Sequence, residues 1–336
     1  MPTCINVNQE KNLIYVCDSG SDTISVIDGS TNTVINTIFA GGNFPNVIAL
    51  DALTNRLYVG FSNTNTINEI NTVTKSVVAD IPVGTAENSG TMNMVSDLSH
   101  HLFVSSDVAY LPSQNITSID ALGHYVNNTA YEFPSIKTTT QSPYDYVISA
   151  MTFGNFGNLG KSQLFVNLDS TVYVFEWNDY SDGLVLDDSF PINETLTNKQ
   201  DIASDPSNDL IYIANYHNSS VSVIKEIPPV ISTKENAANA RVFDHQFKIK
   251  VIGKIPIPPH TTIPSNPDGI AVNPETHKIY VMDSESGFVY AIDGKCMYTA
   301  GDIKKCNSTP IKVGGGRSSG IAVNPNTKEG TRIKSL

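Results

Sequence analysis

The chain has 336 residues and a mass of 36.4 kDa, enough for two average domains or one large all-β repeat domain. Its net charge of −12 and pI near 4.9 argue against general binding to nucleic acid or to an anionic membrane, since both need a positive field. No apolar segment approaches the ~20 residues of a membrane helix, and no run of like charge is long enough to form a tail.

Met1-Pro2-Thr3 runs directly into the strand-like Cys4 to Val7, without the basic and apolar regions of a signal peptide, so the chain as written reads as cytosolic unless its N-terminus is processed. From there the apolar runs are short, rich in Ile, Val and Tyr, and bounded by Asn, Asp, Gly, Pro and Ser, the pattern of strands joined by tight turns. The first repeat holds Cys4 to Val7, Leu13 to Cys17, Thr23 to Asp28 and Val34 to Phe39. The second holds Val47 to Leu50, Arg56 to Phe61, Thr66 to Ile70 and Val77 to Val83. A weaker third follows, with Met92 to Val95, His101 to Ser105, Ile116 to Asp120 and roughly Tyr125 to Phe133. The fourth is interrupted at Gly154 to Gly160 and resumes with Gln163 to Leu168, Val172 to Trp177 and Leu184 to Phe190. The fifth carries Asp201 to Ser204, Leu210 to Ala214 and Val221 to Lys225, then a polar excursion before Phe247 to Ile257. The sixth, Asp268 to Gly294 with Ile311 to Val313, is the clearest copy.

The second run of each repeat has an aromatic at its centre, at 15, 58, 103, 165, 212 and 280, in steps of 43, 45, 62, 47 and 68 residues. A period of ~40–50 residues holding only strand signals marks a β-propeller with one four-stranded blade per repeat. The expected organisation is a single all-β domain over 1–336, with antiparallel blades at about 3–42, 46–84, 91–133, 146–192, 200–257 and 268–314. A seventh copy begins at Ser319 with Gly320-Ile321-Ala322-Val323-Asn324-Pro325 and then fails, because Thr327 to Thr331 is polar where a second strand belongs. The partial repeat at 319–336 favours a truncated seven-bladed ring over a stub packed irregularly at the closure. Open strand edges at such a seam would invite self-association. In the first strand of several repeats a small residue (Ala49, Ala203, Ala271, Ala322) fits the convergence of blades near an axis; Asn6 and Asn93 take that place in repeats one and three, facing the channel or satisfied structurally.

Three stretches, Ile14 to Ile38, Ile211 to Ile224 and Gly269 to Gly294, resemble the YVTN-type β-propeller repeat, and the likeness extends over nearly the whole chain. The resemblance implies surface-layer-like or periplasmic proteins of the cell surface, and no shared catalytic motif comes with it.

Four cysteines fall into two local pairs. The hairpin around Gln9 to Asn12 opposes residues whose numbers sum to 21, which places Cys4 against Cys17; Cys296 and Cys306 share one loop. Two disulfides and an oxidising compartment, cell surface, extracellular or periplasmic, are therefore expected, with buried free thiols as the alternative. None of the seven histidines has metal-ligand spacing, and Gly314-Gly315-Gly316 precedes no helix signal. The sequons at Asn115, Asn127, Asn193, Asn218 and Asn307 are about as many as chance predicts.

Asp18, Asp22, Asp283 and Glu285 cluster in the loops between second and third strands, with Asn63, Asn65, Asn215 and His217. They read as ordinary turn residues, as a rim that meets a ligand, or as carboxylates for Ca²⁺; no other cofactor is implied. Asp145, Asp201 and Asp268 begin inner strands and mark a conceivable acidic channel mouth. The function expected is a non-enzymatic surface or secreted propeller serving as a scaffold or binding module. Its loop face would meet a protein or glycan, without nucleic-acid binding or membrane insertion. The alternative is a propeller enzyme, a lactonase-like or lyase-like hydrolase or a redox-associated propeller, working in the central channel.

Overall fold

In the computed structural model the described residues are 2–83, 90–97, 100–107, 115–120, 125–133, 148–155, 162–168, 171–178, 183–192, 200–227, 248–259, 265–283, 285–299, 303, 306–313, 320–325 and 334–335. Every four consecutive strands form one antiparallel sheet in chain order. Blade 1 is β1 (Pro2–Asn8), β2 (Leu13–Asp18), β3 (Thr23–Asp28) and β4 (Thr33–Phe39). Blade 2 is β5 (Pro45–Asp51), β6 (Arg56–Phe61), β7 (Thr66–Asn71) and β8 (Ser76–Pro82), and blade 3 is β9 (Gly90–Ser96), β10 (His101–Asp107), β11 (Asn115–Asp120) and β12 (Tyr125–Glu132). Blade 4 is β13 (Ile148–Asn155), β14 (Ser162–Leu168), β15 (Thr171–Asn178) and β16 (Gly183–Pro191). Blade 5 is β17 (Gln200–Asp205), β18 (Leu210–Asn215), β19 (Ser220–Ile227) and β20 (Lys248–Pro256). Blade 6 is β21 (Pro267–Asn273), β22 (Lys278–Asp283), β23 (Phe288–Asp293) and β24 (Ser308–Lys312), with a one-turn helix α1 (Cys296–Thr299) before its last strand.

The first strands of successive blades pack side by side around an axis, which makes the chain a six-bladed β-propeller. The central aromatics of the second strands, Tyr15, Tyr58, Phe103, Phe165, Tyr212 and Tyr280, are all buried between blades. Five of the interior clusters span two neighbouring blades: Leu57 and Val59 of blade 2 join Tyr15 and Ile24 of blade 1, and Ile279 and Val281 of blade 6 join Tyr212 and Val223 of blade 5. Because apolar residues point to both faces of each blade, no blade can bury its surface alone; stacking in a ring satisfies all of them.

Inner strands are also laced by polar bonds. Thr3 Oγ1 donates to the Pro45 carbonyl at 2.7 Å, and Asn93 Nδ2 donates to the Ile148 carbonyl at 2.6 Å. Asn93 is thus a satisfied structural amide joining blades 3 and 4, and Asn6 accepts from the Val7 amide beside it.

The expected seventh blade is not formed. Beyond blade 6 the described residues contain only β25 (Ile321–Ala322) paired with β26 (Lys334–Ser335), so the truncated seven-bladed ring is replaced by six blades. The physical reason lies in what the 320–324 segment touches. It packs against β21 and β22 on one side and β1 on the other. Val323 is buried with Tyr280, Met282 and Val289, and a Cβ on Gly320 would stand 3.1 Å from Ile5 Cγ2. Asn324 Nδ2 donates to Asn12 Oδ1 of the first hairpin. An apolar echo of an inner strand without apolar strands after it has no sheet to found, and it wedges the seam between blades 6 and 1 instead.

Both disulfides are present, with Cα–Cα separations of 5.0 Å for Cys4–Cys17 and 5.5 Å for Cys296–Cys306. The first joins directly opposed residues of β1 and β2. The second clasps α1, whose Met297, with Ile303 and the buried Cys306, covers the outer junction of blades 5 and 6.

Candidate functional site

Antiparallel order within a blade sends the turns to opposite faces of the disc. In every blade the ends of the first and third strands lie on a lower face. The ends of the second and fourth strands and the starts of the inner strands lie on an upper face, which therefore gathers all the candidate rim and channel residues that are described.

On that upper face most candidate side chains are held by the turns themselves. Asp18 Oδ2 accepts from Ser25 Oγ at 2.6 Å, and Asn215, at the same place in blade 5, donates to Ser222 Oγ at 2.9 Å and Ser220 Oγ at 3.1 Å. Asp283 Oδ1 accepts the amides of Glu285 and Ser286, an Asx turn. Asp22 Oδ1 accepts the Phe44 amide at 2.8 Å and so ties its turn to the connection into blade 2. Glu285 is clamped between blades: Tyr216 OH donates to Oε1 at 2.5 Å and Asn266 Nδ2 to Oε2 at 2.9 Å. Asn65 is half-buried, while Asn63 and His217 are exposed, His217 lying edge-on to Tyr216. The aspartates of blade 1 and the acids of blade 6 belong to separate turns. Among the described residues no three His, Cys, Asp or Glu side chains are grouped closely enough to hold a metal ion.

Near the start of the blade 5 inner strand, Asp201 accepts the Ile202 and Ile270 amides, both at 2.9 Å, and so joins the inner strands of blades 5 and 6. Burial pushes its carboxyl up to about 6 despite those two donors, and the charge of nearby Asp268 adds to the rise. Asp268 sits at the irregularity between Pro267 and Gly269 in the pairing of β21 with β22. Asp145 lies outside the described residues.

The lower face carries contacts that local sequence patterns do not reveal. The residue ending an inner strand bonds to the first hairpin of the next blade, Asp51 Oδ2 to His100 Nδ1 at 2.7 Å and Asp205 Oδ2 to His277 Nδ1 at 3.0 Å, and across the seam Asn324, two residues past β25, bonds to Asn12. The receiving residues Asn12, His100 and His277 all have positive φ, at 54°, 67° and 59°. Burial raises the Asp51 carboxyl, but hydrogen bonds from Thr54 and His100 outweigh it and hold the group below the usual carboxylate range. Nearby, Glu69 is fully buried with Oε1 2.6 Å from Arg56 Nε. At the junction of blades 3 and 4, His101 bonds Asp97 at 2.9 Å and lies against Trp177, with ring centroids 4.5 Å apart and planes tilted by 36°.

No known protein family and no curated protein matches the sequence. Solved structures do match over the whole length. Hydrazine synthase of Kuenenia stuttgartiensis superposes with a TM-score of 0.64 at 15% identity, covering 100% of this chain and 95% of that one. The β-propeller domain of Cps50 (Swd1) from Myceliophteria thermophila gives 0.64 at 10% identity, covering 100% and 97%. U3-55K gives 0.61 at 12% identity, covering 96% and 85%. The likeness is one of fold. At these identities it carries no activity or partner across.

Proposed function

We propose that this protein is a recognition scaffold of the cell surface or an oxidising extracellular compartment, binding a protein or glycan through its upper face. The observation that carries the reading is the commitment of the upper-face polar groups to architecture. Asp18, Asn215 and Asp283 close turns, while Glu285 and Asp201 tie blades together. Among the described residues, such bracing leaves exposed Phe44, Asn63 and His217 held on a braced frame for a partner. Preformed aromatic and amide groups suit recognition because little order is lost on binding. The two disulfides support the oxidising location, and the repeat pattern of blades 1, 5 and 6 supports kinship with YVTN-type surface propellers.

The test is binding to a printed glycan array and to a displayed peptide library, comparing the protein with a Phe44→Ala/Asn63→Ala/His217→Ala variant. A lower-face control carries Glu10→Ala and Glu275→Ala. Binding lost only in the upper-face variant is expected; binding by neither route, or equal loss in the control, overturns the reading.

One observation favours the second reading, a hydrolase or lyase working in the channel: burial pushes the Asp201 carboxyl up to about 6, and Asp268 lies near it. Turnover of lactone or ester substrates that disappears in Asp201→Asn would establish it, and absence of turnover on a broad panel would remove its support.

A further inference from the structure

Among the described residues ten large apolar side chains are exposed, and seven of them, from Val34 to Val78, belong to blades 1 and 2. The densest group is on β4, where Val34, Ile35 and Phe39 are 60, 53 and 63% exposed, with Phe44 just beyond the strand. β4 is the outer strand of its blade, so one row of its backbone donors and acceptors faces away from the sheet.

The other outer strands are internal controls, because they occupy the same place in the same chain. Each of them carries a charge or a proline that blunts edge pairing. β8 has Asp80 and Pro82, and β12 ends in Glu132. β16 has Asp187 and Asp188, β20 has three lysines, and β24 has Pro310 and Lys312. β4, Thr-Val-Ile-Asn-Thr-Ile-Phe, has neither; all but its asparagine are strong strand formers. A skipped residue bulges β4 at Ile35, as Val78 bulges β8 and Ile252 bulges β20, so the bulge is common to the blades and does not set β4 apart.

We infer that β4 is a self-pairing edge, through which two copies of this chain join antiparallel about a two-fold axis into one continuous eight-stranded sheet. Charge selects a second copy as the occupant. At a two-fold interface like meets like. β16 on β16 would oppose aspartates and β20 on β20 would oppose lysines, whereas β4 on β4 brings two neutral strands together. Pairing then covers Ile35 and Phe39 while satisfying the outward backbone groups between Asn36 and Phe39.

The oligomeric state of the intact protein is the test, read by sedimentation equilibrium over a wide concentration range. A reversible monomer–dimer equilibrium is expected. Ile35→Lys and Phe39→Lys, at exposed positions, should each weaken it at least tenfold with an unchanged circular dichroism spectrum. Val185→Lys, an exposed outer-strand site in blade 4, should leave it unchanged. Added salt should tighten the dimer, because it screens repulsion between two bodies of charge −12 while the contact itself is neutral. Amides of β4 should gain exchange protection with concentration. A protein monomeric up to its solubility limit, a dimer that survives both β4 substitutions or is lost equally in Val185→Lys, or assembly beyond the dimer, each overturns the inference.

Discussion

The buried ion pair of blade 2 offers a sharp energetic test. Glu69 has no exposed surface, and its carboxylate lies against Arg56, whose side chain is one-quarter exposed. Replacing Arg56 by Met keeps the stem and removes the charge, leaving Glu69 buried without the guanidinium; breaking a buried pair this way costs about 3–5 kcal/mol. Glu69→Gln is milder, about 1–2 kcal/mol, because the guanidinium still reaches water. Arg56→Met/Glu69→Leu removes both charges and should fall within about 1 kcal/mol of the parent, a coupling of about 3 kcal/mol or more. With an unfolding entropy of roughly 2.1 cal/mol/K per residue, the whole ring carries about 0.7 kcal/mol/K, so Arg56→Met should lower Tm by about 4–7 °C. Urea unfolding midpoints at constant m-value measure the cycle. The Tyr58 hydroxyl supplies a second readout. Burial and the Glu69 charge both raise its pKa, so ultraviolet titration should find its ionisation easier in Glu69→Gln. If Arg56→Met is as stable as the parent, or the double variant as unstable as the single, the pair is not the buried interaction described.

At Asp201 burial pushes the folded carboxyl from its ordinary 3.8 up to about 6, so between those values the native state holds more protons than the unfolded chain. Stability should therefore be greatest at the acid side of that window and fall by up to about 3 kcal/mol as pH rises through it; Asp201→Asn should flatten the profile measured by urea unfolding. Each disulfide closes a short loop, of 13 residues for Cys4–Cys17 and 10 for Cys296–Cys306. Loop-closure entropy gives about 3 kcal/mol for either one, measurable as the loss in Cys17→Ala or Cys306→Ala, and thiol titration of denatured, unreduced protein should find no free thiol. At the seam, Val323→Ala should cost about 1.5–2.5 kcal/mol and raise hydrogen exchange selectively in β1 and β21. Exchange that rises instead throughout blades 3 and 4 would refute a closing role for that residue.

What the sequence disclosed followed the range of the interactions. The pairing of Cys4 with Cys17 was readable because a four-residue hairpin sets the register of everything beside it. The blades were readable because each is one contiguous supersecondary unit. The fate of Gly320 to Asn324 was not, since it depends on Ile5, Asn12 and Tyr280 at the two ends of the ring. The lower-face latches were hidden for the same reason: 49 positions separate Asp51 from His100 and 72 separate Asp205 from His277. The upper face does carry a local signal. Asp18 with Ser25 and Asn215 with Ser222 share one spacing, which marks them as turn closers.

The β19–β20 connection shows how the ring treats added chain. Ile227 still pairs with Lys248, so the two strands stay paired up to their ends although twenty residues separate them in sequence. Where blade 1 spans the same step with four residues between Asp28 and Thr33, lengthening the excursion to twenty adds only about 1.4 kcal/mol of closure entropy. Inter-blade bonding runs mainly through inner strands and first hairpins, so the outer hairpin is a port. Foreign segments grafted at 30–31 or 73–74 should be carried at similar expense, which makes this propeller a chassis for display.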